Sequence, residues 1–399
     1  GMLCSARELG FSEADGGGIM ILPTDAKVGV SLVAYLGADD TIFELSVTPN
    51  RGDCLSVLGV AREVAALTGA TLRHRPVSVP EEKTPAARIA RVDVQAPDLC
   101  PHYSARIVRG LRVEASPLWM QTRLSMIGLR PISNVVDATN YVMVERGQPL
   151  HAFDLARLRG ARVSARRAGS RQRYETLDGV VRELLPDDLV IADAEGPVAL
   201  AGVIGGADSE IRPETVDVLL ESAFFTPETV RRTARRLGVS TESSYRFERG
   251  VDPAGIKTAL DRVIQLIVAH AGGQVARGVL EDRAPGRRQR AGIRLRPARV
   301  NFLLGTTLKI GEMERPLRAL GATVSGRGPL VRRVVPPSHR FDLQNEVDLV
   351  EEIARLTGYD SVPATVPAIV AGGPGAGPTH DVEQRIRERL RGGGFDEMM

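Results

Sequence analysis

The sequence has little cysteine: Cys4, Cys54 and Cys100 are its only three, and no two stand at CxxC spacing. That scarcity excludes a disulfide framework and a cysteine-built zinc site and fits a reducing cytoplasm. Long apolar runs are missing too. The best candidates, residues 198–206 and 263–271, are far short of the roughly 18 to 20 apolar residues that cross a bilayer. The first residues show no signal-peptide pattern, so a cytoplasmic location is expected and a membrane is not an expected partner. Aromatic residues are only 4 %, which leaves the core to aliphatic side chains and disfavours a base-stacking platform. Lysine is nearly absent, with Lys27, Lys83, Lys257 and Lys309 alone, yet Lys plus Arg total 52 against 49 Asp plus Glu. A net charge of +3 is too small for bulk binding of nucleic acid, so DNA is not an expected partner and any RNA contact must be local. No Gly-Lys dipeptide exists to build a phosphate loop, and no GxGxxG precedes a helix, so nucleotide chemistry by those routes is excluded.

What is present reads as mixed helices and strands without a regular βαβ rhythm, hence an α+β multidomain chain of 399 residues. Phe43, Leu45 and Val47 alternate with polar residues as in a strand, and residues 50–68 read as a helix closed by Gly69. Ser116 and Pro117 suit an N-cap and first helical position, with Met120, Leu124 and Ile127 turned inward. Asp252-Pro253 and Gly272-Gly273 bracket a helix with Ile256, Leu260, Val263 and Ile267 on one face. Strands are expected at residues 89–94, 105–108, 198–204 and 216–221. Composition shifts suggest boundaries at residues 76–85, 283–299 and 363–378. The second of these holds seven arginines and no acid, as either a solvated linker or a phosphate-contacting strap. Neither end reads as finished, so the sequence is expected to be an internal piece of a longer chain.

Several polar residues fall on apolar faces. Ser133 can cap a helix whose apolar register puts Thr139 and Asn140 on the buried side, where an unpaired hydroxyl or amide costs roughly 1 to 3 kcal/mol. Both are therefore satisfied by backbone or face a polar cavity. The helix ends at Gly147, and a turn returns His151 towards it as a satisfied side chain or a functional one. Residues 201–206 form a small-residue strand ending in Gly205 and Gly206, as a tight turn or as room for close approach by a ligand. Val216, Val218 and Leu220 share one face, which puts Glu221 on the other beside Leu219, where a carboxylate must be paired, raised in pKa or reading a ligand. Arg231, Arg232, Arg235 and Arg236 make a basic stripe, solvated or facing phosphate. Asp342, Asp348, Glu351 and Glu352 gather acid around one helix start, which complements the helix dipole or offers oxygen ligands to Mg²⁺.

Five segments together resemble one family: ELSVTPNRGDCLS (44–56), NVVDATNYVM with GQPLHAFD (134–143 and 147–154), YRFERGVDP (245–253), PSHRFD (337–342) and DLVEEIAR with GYD (348–355 and 358–360). In this order, over essentially the whole length, the sequence is similar to the β subunits of bacterial phenylalanyl-tRNA synthetases. The resemblance implies an OB-fold tail over residues 1–45, an amino-terminal-domain remnant over 46–92, and a B3/B4-type editing domain over 93–290. A winged-helix-like B5 domain would follow over 291–366, with the start of an inactive, catalytic-like domain at 367–399. It also implies hydrolysis of tyrosine wrongly esterified to tRNA(Phe), with His151, Thr139, Asn140 and Glu221 catalytic and Arg130, Gly205, Thr241 and Ser243 holding substrate. Ser243 stands where the family often has alanine. Magnesium would be held by Asp342, Asp348, Glu351 and Glu352 and shared with the α subunit. The implied partners are tRNA(Phe) and the α subunit, two of each subunit per heterotetramer, with ATP bound by the α subunit alone. Two other readings are a tRNA-positioning module and a scaffold that only buries the α subunit.

Overall fold

The computed structural model describes residues 3–9, 18–73, 76–284, 290–328, 330–364 and 377–398. The chain divides into two units, Gly1–Thr357 and Gly358–Met399. Among its described residues the second unit carries a short turn, Tyr359–Ser361, and the helix Pro378–Gly392. Most of the proposed boundary at 363–378 lies outside the described residues, as does part of the one at 283–299.

The first unit is built around a six-stranded sheet whose central strand, Val218–Phe224, is buried along its entire length. It pairs antiparallel with His102–Arg109 on one side and Leu150–Asp154 on the other. Successive side chains of a strand point to opposite faces, so this strand feeds two cores. Leu219 and Ala223 pack with Phe153, Ile107 and the second, five-stranded sheet through Val163, Ile191 and Leu200. Val218 and Leu220 instead meet the helices Leu118–Met126, Asn134–Arg146 and Ile256–Ala271. The sequence alternation had assigned these faces, and the two cores agree for Val218 and Leu220, while Val216 lies before the strand and is exposed.

Helix signals are met in most places. Ser133 accepts the Val136 amide at 3.3 Å and Gly147 closes that helix at φ 77°. Ile256, Leu260, Val263 and Ile267 are all fully buried on one helix. Three expectations change. Helix Val57–Thr68 starts late, because Gly52–Cys54 forms a separate 3₁₀ turn and Ser56 is the cap. Ser116 does not cap: its hydroxyl is drawn to the Asp137 carboxylate, the helix starts at Leu118, and Ile127 is exposed beyond its end. The strand expected at 198–204 folds back on itself, with Pro197–Leu200 and Ile204–Gly205 as a hairpin turned by Gly202 at φ 70°.

Residues 43–47 form no strand: among the described residues no strand pairs with them, and Phe43 is 77 % exposed. The described residues of 1–45, where the OB-fold tail is expected, hold the bridge Ser5 to Ile19 and the short helix Leu32–Leu36. Residues 293–357 form a third core, with a three-stranded antiparallel sheet (Ile293–Leu295, Arg332–Val335, Thr323–Ser325) against helices Pro297–Leu304, Ile310–Ala319 and Glu346–Thr357.

Candidate active site

Antiparallel pairing puts directly opposed residues on the same face of the sheet. Glu221 stands opposite His151 on one neighbouring strand and Ala105 on the other, so Glu221, His151 and Tyr103 all point towards the second sheet. There they meet the small-residue hairpin, and a cavity of about 60 Å³ opens between them, lined by His151, Gly205, Glu221, Ser243, Phe247 and residues 199–204.

Glu221 is 7 % exposed. The Tyr103 hydroxyl, itself fully buried, donates to Glu221 Oε2 at 2.5 Å. Burial pushes the Glu221 carboxyl up to about 7, and the bond from Tyr103 only partly opposes this. Tyr103 holds one oxygen, and the other has no partner among the described residues. His151 packs edge-on against Phe153, with ring centres 4.5 Å apart, and its Nε2 is buried without a hydrogen-bond partner. Burial pushes its pKa down to about 4, so the imidazole is neutral at physiological pH. A neutral ring of that basicity is suited to holding a water or a substrate oxygen and is a weak general base.

The absence of a side chain at Gly205 makes the cavity. A Cβ there would come within 2.8 Å of His151 Cε1 and 2.7 Å of Leu177 Cδ1. Behind it, a Cβ at Gly206 would collide with the Tyr174 hydroxyl at 1.7 Å, so Tyr174 backs the cavity wall. Thr241 caps helix Glu242–Phe247, its hydroxyl accepting the Ser244 amide and donating to the Val203 carbonyl at 2.8 Å. That bond ties the helix carrying Ser243 to the hairpin.

Of the eight residues the resemblance implicated, His151, Gly205, Glu221 and Ser243 line one cavity, and Thr241 braces it. Thr139 and Asn140 lie on helix Asn134–Arg146, and the Thr139 hydroxyl donates to the Val136 carbonyl at 2.6 Å, one of the two fates foreseen for it. Arg130 is exposed in the loop before that helix. Tyr103 and Tyr174 went unnoticed in the sequence; the demand of a buried Glu221 for a donor was the one available signal for Tyr103.

The four carboxylates proposed for magnesium do not form an open oxygen cage. Arg340, 1 % exposed, pairs with both oxygens of Asp342 (2.9 and 2.7 Å) and with Glu352 at 2.7 Å. Glu352 also binds Arg355; burial pushes its carboxyl up, but Arg355 and Arg340 outweigh this and hold it down at about 2. Asp348 accepts the Gln344 and Asn345 amides at 2.7 and 2.6 Å, the dipole-complementing role. Glu351 is exposed. The cation satisfying Asp342 and Glu352 is therefore a guanidinium, and as they stand these donors do not fit a metal. Among the described residues, one group of three metal-ligand side chains does converge, Asp53, Cys54 and Glu63, and Arg51 threads it with contacts of 2.9, 3.1 and 2.6 Å. The basic stripe is also spent in part, Arg236 on Asp188 and Arg231 on the Glu248 carbonyl. In the arginine-rich segment, Arg296 and Arg299 pair with Glu346.

Comparison with known proteins bears on this site. Residues 99–272 match the B3/4 domain family, and residues 293–359 match the tRNA synthetase B5 domain family. Over its full length the chain is 49 % identical to the phenylalanine–tRNA ligase β subunit of Moorella thermoacetica and 46 % identical to that of Syntrophus aciditrophicus. It covers 50 % of each, so the chain spans about half the length of the curated relatives it matches. A crystal structure of an N-terminal fragment of the phenylalanyl-tRNA synthetase β subunit from Pyrococcus horikoshii aligns with 80 % of this chain and 90 % of its own, at 16 % identity and a TM-score of 0.38, too distant to carry an argument.

Proposed function

The chain belongs to the phenylalanine–tRNA ligase β-subunit family, of which it carries the B3/4 and B5 domains, and from that premise we propose that the Glu221–His151 cavity hydrolyses tyrosine wrongly esterified to tRNA(Phe). The observation that carries the reading is the strand register that seats Glu221 and His151 side by side in one cavity, each with an atom that no group among the described residues satisfies.

Tyrosine and phenylalanine differ by one hydroxyl, and an apolar pocket separates such a pair poorly unless it holds a polar group for the hydroxyl to meet. Glu221 supplies that group: its free carboxylate oxygen accepts the phenol proton, while Tyr103 keeps the other oxygen in place. Phenylalanine would leave this buried oxygen unpaired, at a cost of about 1 to 3 kcal/mol. The space at Gly205 takes the ring. His151 Nε2 accepts a proton of the attacking water, so the step rests on position and not on a strong base. Thr139 and Asn140 lie on helix Asn134–Arg146, outside the lining of this cavity.

Binding of tRNA(Phe), association with an α subunit as a heterotetramer with two of each, and activity within the cytoplasm belong to the same proposal. ATP chemistry is left to the α subunit. The test is deacylation of tRNA(Phe) charged with either amino acid. Faster release of tyrosine than of phenylalanine supports the hydrolytic reading. Tight tRNA binding without release of either would favour a positioning module instead.

A further inference from the structure

A second cavity, of about 210 Å³, lies where helix Val57–Thr68 and the end of helix Asn134–Arg146 face the start of helix Ile256–Ala271. Arg62, Arg146, Gln148, Asp252, Gly255 and Thr258 contribute to its wall. Two guanidinium groups meet here, with Asp252 the carboxylate on the same wall. Glu145, the acid beside Arg146, is held by Arg262 at 3.0 and 3.1 Å, which leaves the Arg146 Nε a longer contact of 3.5 Å to it. Arg62 has no hydrogen bond or ion pair among the described residues. Asp252 also reaches the wall, but its Oδ1 accepts the Ala254 amide at 2.9 Å. The helix that starts at Ile256 runs 16 residues with no side-chain cap and no acid in its first turn, so the positive end of its dipole is open towards the cavity.

An independent observation concerns Gln148. It is 3 % exposed, and its amide nitrogen donates to the carbonyls of Pro149 and Ala223, which fixes the orientation of the amide. Its Oε1 is left buried with no donor. The cavity therefore offers cationic groups and helix amides to an anion, and a fixed acceptor to a hydroxyl beside it. A ribonucleotide presents that combination in its phosphate and 2′-hydroxyl, and DNA lacks the second. The place is also right: Gln148 lines this cavity, and the next three residues, Pro149, Leu150 and His151, line the first.

We propose that this second cavity is a ribonucleotide-backbone subsite, in which Arg62, Arg146 and the amino end of helix Ile256–Ala271 hold a phosphate near the 3′ end of bound RNA and Gln148 accepts a 2′-hydroxyl. That the RNA is a tRNA whose terminal ester enters the first cavity rests on the proposed function. The anion site itself does not. It steers the acceptor end past Leu150 into the neighbouring pocket.

The test reads binding alone, so it stands whatever the outcome of the hydrolysis assay. A short oligoribonucleotide ending in cytidine, cytidine and adenosine, and its deoxyribose counterpart, are titrated against the 399-residue chain and its Arg62→Gln, Arg146→Gln double variant at several salt concentrations. The double variant is expected to bind the RNA about tenfold more weakly and to lower the slope of log affinity against log salt by about 1. The Arg62→Lys, Arg146→Lys variant keeps the charge and is expected to recover most of the affinity, while equal melting temperatures show that all three chains are folded. The parent is expected to prefer RNA to DNA. Unchanged affinity and salt slope in the glutamine variant, or equal binding of the two oligonucleotides, would overturn the assignment.

Discussion

Burial raises the Glu221 carboxyl from its ordinary 4.5 to about 7, and this gives the residue a signature separate from any activity. An acid whose folded pKa lies above its unfolded one is favoured by folding in its protonated form. The stability linked to it is complete below about pH 4.5 and is lost as the pH rises towards 7. For this shift the loss is of order 3 kcal/mol. Glu221→Gln is therefore expected to flatten the unfolding free energy across that window, as measured by urea denaturation at a series of pH values. Parallel profiles for parent and variant would show that the carboxyl is not held neutral by burial. The side on which Glu221 lies was legible from the alternation of Val216, Val218 and Leu220. Its partner was not, because Tyr103 lies 118 residues earlier and only the strand pairing of Ala223 with Tyr103 brings them together.

At the scale of elements, the cavity depends on one hairpin of small residues. Gly202 turns it at a positive φ and packs so closely on Phe225 and Phe247 that a Cβ would lie 2.9 and 3.0 Å from their rings. Gly205 needs no such conformation, so Gly205→Ala brings no backbone strain and acts by filling the pocket against His151. The expected result is a fall in kcat/KM for tyrosyl ester of at least tenfold with little change in melting temperature, since a misplaced reacting group costs up to about 100-fold. Unaltered hydrolysis would place the substrate elsewhere. Caps and amphipathic faces made the helices readable, whereas the hairpin at 197–205 was read as one strand from its small apolar residues and the missing strand at 43–47 was misread from local alternation. Alternation reports a side-chain pattern, and only a neighbouring strand turns it into structure.

Across the first unit, the motif segments that carry the resemblance separate into two places. Those at 134–154 build the cavity and its flank, while those at 44–56, 337–342 and 348–355 are joined by a chain of alternating charges. It runs from Asp342 through Arg340, Glu352, Arg355, Glu63 and Arg51 to Asp53, each link between 2.6 and 2.9 Å. Three arginines against four carboxylates explain why acids that look like metal ligands in sequence are already satisfied. Sequence reading saw the acids because they cluster at one helix start, and missed the arginines because Glu63 and Arg355 are 292 residues apart. Removing Arg340 takes the paired cation from the largely buried Asp342 and leaves Glu352 with Arg355 alone, so Arg340→Ala is expected to cost roughly 3 to 5 kcal/mol in denaturant unfolding. A loss under about 1 kcal/mol, the level of a surface pair, would mean that the network is not continuous in solution.

The central claim is that Glu221 reads the hydroxyl distinguishing tyrosine from phenylalanine, and the ratio of kcat/KM for tyrosyl-tRNA(Phe) and phenylalanyl-tRNA(Phe) hydrolysis, measured for the parent chain and for Glu221→Ala, tests it most directly. The account predicts that the parent favours the tyrosyl ester and that the variant loses about 1 to 3 kcal/mol of this preference while still hydrolysing both. An undiminished preference for tyrosine in the variant would contradict it.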